Sequence, residues 1–231
     1  MKKLILSLDN VSFNNTKQML RIIDENFDEN PLFGIKIKPS FLMEYGLSKI
    51  RVLKSTFNLK IMLDHKLFDT ADVMEDQLKF YVNEGVDLVT AHITSLFTPK
   101  DKSLLDHLVG VTLLTTYGED YTDTMYGLDL GSTINRFFVT AQDLGYTNLV
   151  CAARDLEIIS APFSEINKFT PAIRPLWYQK IDDQKRKTTP KEAMLAGSDV
   201  LIMGRPLLQF VNEPEKFIEA IKKTVAEIEG V

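Results

Sequence analysis

The chain has 231 residues, 45% of them hydrophobic and 26% charged, which is enough length and apolar content to bury a full core. Its formal charge of −5, from 27 basic against 32 acidic side chains, lacks the basic surplus that a nucleic-acid polymer calls for, and none is expected as a partner. The lone Cys151 excludes an intrachain disulfide and a cysteine metal cluster, and no run approaches the ~20 apolar residues that cross a bilayer.

The opening "MKKLILSLDN" has the basic start of a signal peptide, but Asp9 ends its apolar run too early, so a cytoplasmic protein is expected. A first strand, "LILSLD" (4–9), leads into a helical stretch, "NNTKQMLRIIDEN". A second, "FGIKI" (33–37), is followed by "SFLMEYGLSKIRVLKS", and a third, "LKIMLD" (59–64), by "TADVMEDQLKFYVNEG". In that last helix Ala71, Met74, Leu78 and Val82 recur at helical intervals. Strands four and five are "DLVTAH" (87–92) and "GVTLLTT" (110–116), and "GSTINRFFVTAQDLG" forms the next helix. Strands six to eight are "NLVCAA" (148–153), "KFTPAIRP" (168–175) and "DVLIMG" (199–204), with "TPKEAMLAG" before the last. Gly85, Gly145 and Gly197 end helices as left-handed caps, and "EPEKFIEAIKKTVAEIEG" is an amphipathic final helix.

Eight short, mostly non-alternating apolar strands with helices in nearly every gap predict a parallel sheet covered by helices. The expected fold is α/β, a (β/α)8 TIM barrel forming a single domain over residues 1–231. The rival, a doubly wound sheet, needs a glycine-rich turn after its first strand, and "LDNVSFNN" has no glycine.

In a barrel the C-terminal strand ends share one mouth, where chemistry collects. Asp9, Lys36, Asp64 with Lys66, His92, Thr115 with Thr116, Arg174, and Gly204 with Arg205 all fall at such ends. An aspartate there also serves as a helix cap, and Asp72, just inside a helix, suits the helix dipole. His92 alone is as well explained by a structural hydrogen bond. His65 is expected to point away from Lys66, and His107 has no chemical context.

Lys36 is different, because an unpaired ammonium inside an apolar strand is costly. Asp64 and Lys66, two apart, share one face of an extended segment. A lysine–carboxylate network would offset desolvation and place Lys66 as a proton donor. "DVLIMGRP" puts a glycine and an arginine where a strand turns into a helix, in the usual phosphate position of such barrels. The polar stretch 174–190, with Gln184, Lys185, Arg186 and Lys187, has the length of a lid.

Taken together and in order, "LSLD", "GIKI", "LDHKLFDTADVM", "TPAIRP", "DQKRKTTPKEAMLAG" and "MGRP" resemble the orotidine 5'-phosphate decarboxylase family over nearly the full length. The resemblance implies a charged tetrad of Lys36, Asp64, Lys66 and Asp69, with Lys66 protonating C6 of the pyrimidine as carbon dioxide leaves. It implies a homodimer in which Asp69 serves the neighbouring subunit. Asp9 and Lys36 would contact ribose hydroxyls, and Thr70 and Thr116 would be further substrate contacts, Thr116 in place of a serine. Gln184 would bridge base and phosphate, and Gly204 and Arg205 would hold the phosphate. It implies no metal, flavin or pyridoxal.

The chain departs from the family pattern at Lys38, Ala172 and Asp183, where glycines are usual, and at Val73, where a hydroxyl residue is usual. "ITSLF" after His92 also lacks the usual glycine-containing segment. Two other functions stay open. A Mg²⁺-dependent sugar-phosphate decarboxylase or synthase of the same superfamily would carry glutamate at Lys36. A non-catalytic nucleotide-binding homodimer would not need both lysines and both signature aspartates.

Overall fold

A computed structural model describes residues 3–159, 163–179 and 188–230. Eight strands alternate with helices: β1 (Leu4–Ser7), β2 (Leu32–Ile37), β3 (Lys60–Leu67), β4 (Leu88–His92), β5 (Leu108–Val111), β6 (Asn148–Val150), β7 (Asn167–Thr170) and β8 (Val200–Met203). Every neighbouring pair is parallel, and β1 pairs with β8 as well as β2, closing the barrel. The doubly wound alternative is thereby excluded.

The two-residue period of a strand splits the core into two layers. Ile5, Met62, Leu88, Val109, Phe169, Val200 and Ile202 fill the barrel interior. Leu4, Leu6, Ile35, Ile37, Ile61 and Leu63 face outward and pack in the same cluster as Leu20, Ile23, Leu53, Leu78 and Ile221 from the helices. Helix α1 (Phe13–Asn26) shows how local sequence directs this packing. The Ser12 hydroxyl accepts the Asn15 amide at 3.2 Å, and Phe13, Thr16, Met19, Leu20 and Ile23 form its buried face.

The expected caps at Gly85, Gly145 and Gly197 all have positive φ, at 95°, 82° and 101°. Several boundaries differ from the sequence reading. The stretch 40–55 is two helices, α2 (Pro39–Tyr45) and α3 (Ser48–Thr56), because Gly46 adopts φ 74° and breaks the ladder. After β3 comes α4 (Ala71–Asn83). Strand β5 stops at Val111 instead of 116, and an unexpected helix, α5 (Glu119–Tyr126), follows it. Next come α6 (Leu130–Asp143), α7 (Ala153–Leu156), α8 (Pro190–Leu195), α9 (Arg205–Leu208) and α10 (Pro214–Glu229).

Strand β3 runs three residues past Asp64, with an irregularity between Leu63 and Leu67 where Lys66 has φ 60°. No helix among the described residues is long and apolar enough to cross a membrane.

Candidate active site

The barrel register aligns Ser7 with Lys36 and Lys36 with Met62, which brings the ends of β1, β2 and β3 to one level. There the Lys36 ammonium lies 3.1 Å from Asp9 Oδ1 and 3.0 Å from Asp64 Oδ2. Asp64 Oδ1 in turn accepts the Lys66 ammonium at 2.6 Å. Lys38 joins the other end, its Nζ 3.6 Å from Asp9 Oδ1. The result is an alternating row: Lys38, Asp9, Lys36, Asp64, Lys66.

Burial alone would neutralise the inner members, but opposite charges on both sides outweigh it. Burial raises the Asp64 carboxyl, yet Lys36 and Lys66 bring it down to about 2. Burial also works against the Lys36 ammonium, and Asp64 and Asp9 together hold its pKa above the ordinary lysine value. Both stay charged at neutral pH.

Thr90, fully buried on β4, organises this row from the side. Its hydroxyl accepts the Lys66 backbone N–H at 2.8 Å and donates to Asp64 Oδ1 at 3.2 Å. That contact anchors the left-handed backbone at Lys66, a conformation non-glycine residues seldom take. Sequence reasoning passed over Thr90. The available signal was its parity with His92, two residues on, which faces the same side. Burial and then Lys66 lower the His92 pKa, with Asp64 opposing, so the ring is neutral at physiological pH. His65 points away as expected, edge-on to Tyr81 at 5.5 Å.

The row borders a cavity of about 830 Å³, large enough for a mononucleotide. Asp9, Lys36, Asp64 and Lys66 line one side, and Gly204 and Arg205 line another. Val111, Leu113, Val150 and Ile202 contribute apolar wall between them. Gly204 lets β8 close against β1, since a Cβ there would lie 3.0 Å from the Ser7 carbonyl oxygen. Arg174 stands over the Tyr178 ring at 5.5 Å, and both line the cavity. Cys151 also borders it, with burial pushing its thiol well up and so disfavouring thiolate chemistry.

Other expected site residues are placed differently. Thr115 lines the cavity, whereas Thr116 is exposed and outside the lining, because β5 ends early and a loop carries both. Asp69 and Thr70 are exposed and likewise outside it; the Thr70 amide donates to Asp69 Oδ1 at 2.7 Å. Gln184, Asp183 and the basic trio 185–187 lie outside the described residues. Ala172 borders the cavity at φ 64°, the left-handed region that favours glycine.

Chemically, the site offers a fixed ammonium beside an apolar wall, suited to stabilising negative charge and delivering a proton, with arginine at another part of the cavity for an anion.

Comparison with known proteins bears on the family and the fold. Residues 2–221 match the family model described as "Orotidine 5'-phosphate decarboxylase / HUMPS family". The chain is 31% identical over 239 residues to an orotidine 5'-phosphate decarboxylase of Lawsonia intracellularis, covering 97% of this chain and all of the relative. It is 34% identical over 230 residues to one of Streptococcus gordonii, covering 95% and 96%. Among solved structures, an orotidine 5'-phosphate decarboxylase from Lactobacillus acidophilus superposes with a TM-score of 0.72 at 23% identity, over 97% of this chain and 99% of that one, and supports the fold. With the family model spanning nearly the whole barrel and relatives of this identity matching end to end, the chain belongs to the orotidine 5'-phosphate decarboxylase / HUMPS family.

Proposed function

We propose that the chain decarboxylates orotidine 5'-phosphate to uridine 5'-phosphate in pyrimidine synthesis, with Lys66 as the proton donor. The observation that carries this is the Lys66 ammonium, fixed 2.6 Å from Asp64 at the edge of a nucleotide-sized cavity that Arg205 also borders. The C6–carboxylate bond breaks and its electron pair stays on C6, facing a cation already in place. Lys66 then transfers a proton to C6, carbon dioxide departs, and the amine regains its proton from water. Gly204 and Arg205 grip the phosphate, and that remote binding energy is available to the chemistry.

The second reading is the Mg²⁺-dependent sugar-phosphate chemistry of the same superfamily. Lys36 favours the nucleotide reaction: the sugar-phosphate enzymes would carry glutamate there, and its ammonium already bridges Asp9 and Asp64. The reaction is read as needing no metal or organic cofactor, and the assay in EDTA below tests it.

We assign Asp69 to the neighbouring subunit of a homodimer. Its exposure outside its own cavity, beside an exposed Phe68 (63%) and Val73 (39%), is what an intersubunit contact requires. Thr70 accompanies it, and Gln184 is assigned to the substrate, whereas Thr116, exposed and outside the cavity lining, is not. The protein is read as cytoplasmic.

The test is an assay of the purified protein with orotidine 5'-phosphate in EDTA, following loss of orotate absorbance. Turnover is expected, and Lys66→Ala should lower kcat by at least ~10²–10³-fold while uridine 5'-phosphate still binds. No turnover, together with Mg²⁺-dependent release of carbon dioxide from a sugar phosphate, would reverse the assignment.

A further inference from the structure

The charged row has two ends, and only the Lys66 end has a role in the reaction above. The other end is Lys38. It follows Lys36 by two residues, with extended backbone at φ −99° and ψ 163°, and so carries its side chain to the mouth on the side Lys36 faces. Its Nζ is 3.6 Å from Asp9 Oδ1, the oxygen that Lys36 already holds at 3.1 Å. That separation is an ion pair but too long for a hydrogen bond. The Lys38 side chain is 41% exposed, lines the cavity, and makes no hydrogen bond among the described residues.

Lys36 and Asp64 are each held between two partners of opposite charge, whereas the Lys38 donors are available to a ligand. Asp9 is in a matching state. Its Oδ1 faces two ammonium groups, and its Oδ2 accepts no hydrogen bond among the described residues. A cation with spare donors beside a carboxylate oxygen with spare acceptor capacity is the complement of a hydroxyl, which accepts from one and donates to the other. A surface ion pair with no ligand role would contribute little to stability and would have no need to border the cavity.

We propose that Lys38 joins Asp9, already expected at a ribose hydroxyl, in reading that hydroxyl of the bound nucleotide, which makes Lys38 a substrate-binding residue that discriminates ribonucleotides from deoxyribonucleotides. This rests on the nucleotide reading above. The hydroxyl donates its proton to Asp9 Oδ2 and accepts one N–H from Lys38, while Lys36 holds Asp9 in place.

Calorimetric titration of the wild type, Lys38→Ala and Lys38→Arg with uridine 5'-phosphate and with its 2'-deoxy and 3'-deoxy analogues tests the proposal without depending on turnover. Lys38→Ala should weaken uridine 5'-phosphate by about tenfold, as for a lost hydrogen bond to a charged group. For the analogue lacking the contacted hydroxyl the loss should shrink to about twofold or less, and Lys38→Arg should restore most of the affinity. Thermal melts establish that each variant is folded. Wild-type affinity in Lys38→Ala would overturn the proposal, as would equal weakening of all three nucleotides or failure of the wild type to bind uridine 5'-phosphate. Failure of the decarboxylase reading shows separately, as an inactive wild type that still binds the nucleotide.

Discussion

The backbone N–H of Lys66 donates to the Thr90 hydroxyl at 2.8 Å, tying the left-handed residue on β3 to its neighbouring strand. The same hydroxyl donates to Asp64, so one buried side chain sets both the Lys66 backbone and the carboxylate that holds its ammonium. Replacing Thr90 with valine keeps the shape and removes the hydroxyl. Thr90→Val should lower kcat by about 10²-fold through misplacement of Lys66, with KM changing less. Thr90→Ser should recover most of the rate. Steady-state kinetics on folded variants decide the matter, and a wild-type kcat in Thr90→Val would remove the positioning role.

Asp69 gives a test of subunit exchange. Asp69→Ala and Lys66→Ala should each be inactive alone. If Asp69 serves the neighbouring barrel, a mixed dimer has one complete site: Lys66 from one protomer, Asp69 from the other. Equal mixing after denaturation and refolding should then restore about a quarter of wild-type activity, as random pairing of a two-fold dimer dictates. Activity that stays at baseline, although mixed dimers are isolated, would place Asp69 in its own subunit's site.

Acid should weaken the charged row within a defined range. The Asp64 carboxyl is depressed from 3.8 to about 2 in the folded protein, so its contribution is fully present above pH 3.8 and is lost as pH falls through 2. Asp64→Asn leaves Lys36 and Lys66 without their shared carboxylate, at a cost of about 3 kcal/mol near neutral pH. Urea melts should show that gap narrowing between pH 4 and 2. Lys36 sets the opposite limit: its pKa is raised above 10.5, so its contribution holds below that pH and declines as pH rises through the folded value.

Ala172 carries a backbone conformation in which a Cβ is unfavourable. The gain from Ala172→Gly is offset in part by greater freedom in the unfolded chain, leaving about 0.5–1 kcal/mol of net stabilisation, or ~2 °C in Tm. Ala172→Val, branched at Cβ, should move Tm the other way. Differential scanning calorimetry on both variants distinguishes local strain from an indifferent position.

The sequence by itself determined the order of the eight strands and the barrel, because strand-length apolar runs and helical periodicity are local properties of the chain. It also placed Asp64 and Lys66 on one face, since two-residue spacing along an extended segment leaves little freedom. The contacts that make these residues a site are not local. Asp9 meets Lys36 across 27 residues, Lys36 meets Asp64 across 28, and Thr90 meets Asp64 across 26.

Only the register of the closed barrel decides which of the inward-facing side chains touch, and register depends on packing of all eight strands together. For that reason the sequence alone left Thr90 as an ordinary strand residue and Lys38 as a departure from the family pattern, and the register gives each its contacts. The early end of β5 has the same origin: Thr115 and Thr116 extend the β-prone run, but strand pairing stops at Val111, and the loop alone selects Thr115 for the cavity.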